Sequence, residues 1–252
     1  MSYRTVKALV LRPGLLTNEF KSGRRASYVP PIRLYIFISF LFFFLLTIGK
    51  GGHKAGQPNT TMEAGQPVTT DSDELKISFA GLGSNDLAGK TPEQIDSVMD
   101  AHKIEKTPFK RYLAIQLGRV AAGGKAEFDH QLLKSVSYMM FVLMPILALF
   151  IYMFHRKRVE YYLDCLVFSV HYHSFAFLLF TVFLLVNRIV GSGYLILPLP
   201  IIVMMYFWLA LRVVYPQAWW KGWLKTVAIG LLHLAAIFTC FMLMIAVNVL
   251  LF

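Results

Sequence analysis

The sequence predicts an all-α membrane protein, a bundle of five transmembrane helices with an amphipathic amino-terminal segment and a helical external loop. Three observations carry that prediction. Hydrophobic residues make up 56% of the 252, and mean hydropathy is +0.55. Uncharged apolar stretches also recur at lengths comparable with the roughly 20 residues that cross about 30 Å of hydrocarbon as a helix. The chain divides into a cytoplasmic basic amphipathic segment (1–33), a first span (34–49), an external loop (50–134) and a four-helix transmembrane domain (135–252).

Before the first span, Val6, Leu9 and Val10 fall at helical spacing among Arg4, Lys7 and Arg12, an interfacial pattern. The span itself, Leu34 to Gly49, is short and crosses if Arg33 and Lys50 extend their charged heads to the two interfaces. A cleaved signal peptide is the rival. The apolar run begins only after seven basic side chains and no small-x-small cleavage pattern follows, so it reads as an anchor that stays. Its phenylalanines, Phe37, Phe40, Phe42, Phe43 and Phe44, read as lipid-facing or core bulk.

In the loop, the Gly-, Pro-, Thr- and Gln-rich stretch 51–72 reads as a flexible spacer. Thr91-Pro92-Glu93 is a helix start, followed by Ile95, Val98, Met99 and His102 on one face. A second amphipathic stretch presents Phe109, Tyr112, Leu113, Leu117 and Val120 before Gly123-Gly124 ends it. Too few residues are present to bury a core alone, so these helices are expected on each other, on the membrane surface or on a partner.

The remaining spans are Ser135–Phe154, Cys165–Asn187, Ile189–Leu211 and Thr226–Phe252. Pro145, Pro198 and Pro200 fall inside spans, where each removes a backbone donor; a kink in the outer third of the fourth span is expected. Trp219, Trp220 and Trp223 precede the last span as an aromatic belt, and with Arg24, Arg25 and Arg33 they are the expected lipid-interface residues.

The net charge of +11 is topological rather than a nucleic-acid footprint. Thirteen of the 25 basic residues lie before the first span, after the second and after the fourth, whereas the long loop balances eleven basic against eleven acidic residues. The positive-inside bias therefore puts the amino terminus in the cytoplasm and the carboxyl terminus outside. No recognition module accompanies the charge, so nucleic acid is not an expected partner; the lipid bilayer, other membrane proteins or a second copy are. Cys165 and Cys240 form no Cys-x-x-Cys pair and read as small buried apolar groups.

Leu11-Arg12-Pro13-Gly14, Gly23-Arg24-Arg25 and Tyr28-x-x-Pro31-x-Arg33-Leu34-Tyr35-x-Phe37-x-Ser39 resemble the bacterial membrane-protein family of domain of unknown function 3667. Met144-Pro145-x-Leu147-Ala148-Leu149, the block Leu166 to Phe175 around His171-Tyr172-His173, and Tyr206 with Leu209-Ala210-Leu211-Arg212-x-x-Tyr215 extend the likeness. The resemblance implies a multi-pass protein of the bacterial inner membrane and brings no activity or site. Such proteins often begin with a four-cysteine zinc ribbon; these residues do not supply one, so a zinc-ribbon role does not carry over.

The candidate site lies around the third span, where Glu160, Asp164, His171 and His173 accompany an apolar run, because ionisable groups in hydrocarbon are costly. At 100° per residue Asp164 and His171 share a stripe with Glu160, and His173 points to the opposite side. Counted inward from the cytoplasmic edge, His171 and His233 fall about 9–10 Å deep and Ser39 and Tyr206 about 7 Å. All four are expected in one polar layer. Its functional version is a proton relay, a passage for an ion or small substrate, or a metal site; its plain version is an interhelical hydrogen-bond cluster, with Asp164 and Glu160 pairing basic side chains at the membrane edge. Nothing resembles a phosphate loop, a nucleophile elbow or a His-Glu-x-x-His helix. The expectation is a non-enzymatic small transporter, permease subunit or assembly partner without an assigned cofactor. The alternative is an intramembrane enzyme holding a transition metal through Asp164, His171 and His233.

Overall fold

A chain with this much apolar surface satisfies its peptide groups internally, and among the described residues every regular element is a helix. The computed structural model describes residues 2–24, 27–50, 87, 89–105, 107–122, 125–159, 161–190 and 198–251. The helices are α1 (Ser2–Leu11), α2 (Leu15–Lys21), α3 (Pro31–Lys50), α4 (Pro92–Ala101), α5 (Pro108–Ala122), α6 (Lys125–His155), α7 (Tyr162–Val190), α8 (Leu199–Val214) and α9 (Trp219–Leu251). Among the described residues, three stretches are long and apolar enough to cross a membrane: Gln131–His155, Tyr162–Val190 and Trp219–Asn248. Pro31–Thr47 and Leu199–Val214 are shorter apolar helices. The spacer expected at 51–72 lies outside the described residues.

Helix α6 begins at Lys125, inside the expected loop, and the region of the fourth span differs from the sequence expectation in two ways. Ile189 and Val190 end α7 rather than begin the next helix. Pro198 and Pro200 do not kink a span: Pro198 caps α8 and Pro200 lies in its first turn. The missing N–H of a proline is harmless there, because first-turn donors have no intrahelical acceptor. Pro145 does lie inside a helix, α6.

The chain separates into two compact units, Met1–Ala55 with Tyr138–Thr239, and Gly56–Ser137 with Cys240–Phe252. In the first, α3 lies along α7. Leu34, Tyr35 and Ile38 are buried on one stripe of α3, and the Phe177 ring sits 5.8 Å from Tyr35, 5.1 Å from Phe42 and 5.8 Å from Phe43. Phe37, Phe40 and Phe44 are exposed, so the phenylalanine run serves two surfaces.

In the second unit α4 and α5 pack on each other. Gln94 Oε1 accepts from the Thr91 N–H at 3.1 Å, completing the expected helix start. Ile95, Met99, Ala114, Leu117 and Leu87 form the small core, joined by Ile245 of α9. The stripe expected on α5 is rotated: Phe109 and Tyr112 are exposed, and Ala114 and Leu117 are buried. Gly118 explains the rotation, since a Cβ there would lie 2.8 Å from the Leu87 carbonyl oxygen. Small residues let the backbone approach, and a bulky face would hold it off. Arg111 makes a bidentate pair with Asp96 at 2.8 and 2.9 Å.

Candidate functional site

The amino-terminal residues form a helical hairpin whose turn is built for contact with α8. Arg12-Pro13-Gly14 closes it, the Leu15 N–H donating to the Arg12 carbonyl at 3.1 Å. Gly14 has φ +80°, and a Cβ on it would lie 2.9 Å from the Ala210 carbonyl oxygen and 3.1 Å from Val213 Cβ. Both the left-handed backbone and the close approach require glycine. Asn18 Nδ2 donates to the Val213 carbonyl at 3.3 Å, and Tyr206 donates its hydroxyl to the Leu9 carbonyl at 2.7 Å. The Tyr206 ring is stacked on Phe175 at 3.5 Å.

Helix α2 lies on α7 in antiparallel sense. Thr17 Oγ1 is 3.1 Å from His171 Nδ1, and Lys21 Nζ is 3.7 Å from an Asp164 carboxylate oxygen. The stripe that the sequence places on the third span is thus the seat of α2, with Thr17 and Lys21, one turn apart, meeting His171 and Asp164. Thr17 is 1% exposed and His171 6%, so their hydrogen bond satisfies two groups cut off from water. Beside it a pocket of about 170 Å³ is lined by Leu16, Phe20, Arg24, Tyr28 and His171, among others.

The opposite face of α7 carries a separate polar group. Ser169 donates to the Met144 carbonyl of α6 at 2.8 Å, and His173 donates its Nδ1–H to the Ser169 carbonyl at 2.8 Å. The His173 and His233 rings meet edge to face at 5.5 Å. The single layer expected from span depth is therefore divided: His171 pairs with the hairpin, and His233 meets His173 instead. Depth along a helix fixes height and not direction, and the 200° between positions 171 and 173 decides the partners. Ser39 joins neither group, since its hydroxyl donates to the Ile36 carbonyl at 3.1 Å within α3.

A third cluster, unanticipated from the sequence, closes the end of the bundle around Tyr215. Its hydroxyl lies 3.5 Å from Cys165 Sγ, the His155 ring stacks on it at 5.0 Å, and Lys21 Nζ stands 5.2 Å from its ring centre. Burial pushes the Tyr215 phenol far above its ordinary range, with the neighbouring thiol adding to the shift. Gln217 Nε2 donates to His155 Nε2 at 3.2 Å, the Arg158 guanidinium donates to the Pro216 carbonyl, and Lys225 donates to the Phe154 carbonyl at 2.8 Å. The sequence holds no local signal for it, since His155, Cys165 and Tyr215 lie in separate stretches.

Of the expected interface residues, Trp219, Trp220 and Trp223 are exposed, as is Arg33. Arg24 holds Glu19 through bonds of 2.7 and 2.8 Å, and that guanidinium keeps the Glu19 carboxyl below its usual range. Glu160 and Arg25 lie outside the described residues. For a metal, Asp164, His171 and His233 each face a different partner. Among the described residues no group of three or more His, Cys, Asp or Glu side chains could hold an ion.

No curated protein and no solved structure matches the chain. The resemblance read in the sequence is shown over the segment that builds the hairpin, its turn and most of α3: residues 3–43 match the family described as Protein of unknown function (DUF3667).

Proposed function

We propose that this is a non-enzymatic component of a bacterial inner membrane, an assembly partner or permease subunit whose amino-terminal hairpin is seated on a membrane-crossing helix. The reading takes α3 and α8 as further spans, five in all, with the amino terminus cytoplasmic and the carboxyl terminus periplasmic. One observation carries it. The polar stripe of α7 is engaged by α2, through Thr17 at 3.1 Å from His171 and Lys21 at 3.7 Å from Asp164. Groups so engaged hold a structural element in place. The hairpin also keeps Tyr3, Val10 and Leu11 exposed while Thr5, Ala8 and Leu9 are buried, which leaves an apolar edge for lipid or a partner helix.

Transport is the second reading, supported by the His173–His233 contact away from the hairpin. The metal-enzyme alternative has no comparable support, for Asp164 and His171 are paired with α2 while His233 meets His173 on the opposite face of α7.

Proton flux into vesicles bearing the purified protein separates the readings. Flux at the lipid background, together with protease cleavage of the amino-terminal segment in His171→Ala and not in wild type, is the expected result. Flux that His171→Ala or His233→Ala abolishes would overturn the assembly reading in favour of transport.

A further inference from the structure

The outward stripe of α1 mixes side chains that an amphipathic helix ordinarily keeps on opposite faces. Tyr3 is 78% exposed, Leu11 66% and Val10 42%, and Arg4 and Lys7 are exposed among them. At 100° per residue these five positions fall within about 120° of one another. No acidic side chain precedes Glu19 in the chain, and Glu19 pairs with Arg24 as Asp164 does with Lys21. Among the described residues no carboxylate is paired with Arg4 or Lys7. The stripe is thus basic and apolar at once.

Its place on the bundle narrows what it can meet. Thr5, Ala8 and Leu9 on the other side of α1 are buried. Leu9 and Gly14 meet Tyr206, Ala210 and Val213, which share one side of α8, so the hairpin lies along the flank of that helix and not across its end. With α7 and α8 as spans, the reading on which this inference rests, Tyr206 and His171 lie about 7 and 9 Å inside the apolar runs that end at Leu211 and begin at Cys165. An in-plane amphipathic helix sits at that depth, roughly 5–10 Å into the boundary between headgroups and acyl chains. A helix on the flank of the bundle there turns its free face to the surrounding lipid. Apolar side chains enter the acyl region, and long basic ones reach back to the phosphates. A soluble acidic partner would match the two cations and leave Tyr3, Val10 and Leu11 unexplained.

We propose that the outward stripe of α1 is a docking face for acidic phospholipid of the cytoplasmic leaflet. Arg4 and Lys7 draw the headgroups, and Tyr3, Val10 and Leu11 enter the acyl boundary. One turn apart on the helix, the two cations stand close enough to act on the same headgroup.

The test uses the full chain in nanodiscs of phosphatidylcholine and phosphatidylglycerol in equal parts, doped in turn with an analogue of each lipid carrying a diazirine in its acyl chain. Crosslinks are mapped to peptides by mass spectrometry. Residues 3–11 should be labelled by the phosphatidylglycerol probe about fivefold above the phosphatidylcholine probe, and equally by both in Arg4→Gln/Lys7→Gln. Phe40 and Phe44, exposed on α3, are the control and should take both probes alike in either protein. Equal labelling of residues 3–11 in wild type, a preference that survives Arg4→Gln/Lys7→Gln, or no lipid label on residues 3–11 would each overturn the proposal. The last outcome means that the stripe is covered by protein or faces water. The seat of the hairpin is read separately, by amide protection of residues 5–21, so failure here with protection intact and failure of the proposed function are distinguishable.

Discussion

Thr17 Oγ1 and His171 Nδ1 lie 3.1 Å apart, a buried hydrogen bond between side chains 154 positions apart in sequence. It fixes the short α2 against α7 where either group alone would be stranded. Replacing one partner therefore exposes the other's unmet demand. Thr17→Val or His171→Phe is expected to lower stability by about 1–3 kcal/mol, and the double variant by less than the two losses added. Thermal unfolding in one detergent, read as a double-mutant cycle, checks this.

Gly14 combines a left-handed backbone with contact against Ala210 and Val213. Gly14→Ala has to displace α8 or open the turn, a loss of about 1–3 kcal/mol. The change should free the hairpin selectively. Protease cleavage within residues 2–21 is the readout, with α7 remaining intact.

Tyr206→Phe keeps the ring stacked on Phe175 and removes only the donor to the Leu9 carbonyl. The expected cost is about 1 kcal/mol, since α1 keeps its own helical bonds. A loss as large as that of Gly14→Ala would mean that the hydroxyl, and not the turn, seats the hairpin.

The Glu19 carboxyl is held below its ordinary value of 4.5 by the Arg24 hydrogen bond and charge. A depressed carboxylate stabilises the folded hairpin above its unfolded value, and that stabilisation is lost as pH falls through the folded value. Hairpin protection should thus be flat near neutrality and decline below about pH 4.5. Arg24→Gln should flatten that decline.

Most of the helices could be read from the sequence, because long apolar runs and the Thr91-Pro92 start have few competing structures. The side-by-side arrangement could not. Period alone put Asp164 and His171 on one stripe, and they do share a partner helix. It could not show that the partner is α2, since Thr17 and Lys21 are ordinary helix-surface residues until the Pro13-Gly14 turn folds them back. His233 was matched by depth to His171 and meets His173, because height along a span does not fix its direction. Tyr215, His155 and Cys165 lie in separate stretches of apolar or interface sequence, and only packing brings them together.

Cysteine placement tests the five-span topology. In a background lacking Cys165 and Cys240, cysteines at Ser72 and Ser192 should react with an impermeant reagent from outside, and one at Gln217 should not. Outside labelling at Gln217 would reverse the orientation.

Seating of the hairpin on α7 is most directly measured by hydrogen–deuterium exchange of the full chain in nanodiscs. Backbone amides of residues 5–21 should be protected in wild type and exchange about tenfold faster or more in Thr17→Val and His171→Phe, with α7 unchanged. Fast exchange of residues 5–21 in wild type, or protection indifferent to both substitutions, would contradict the account.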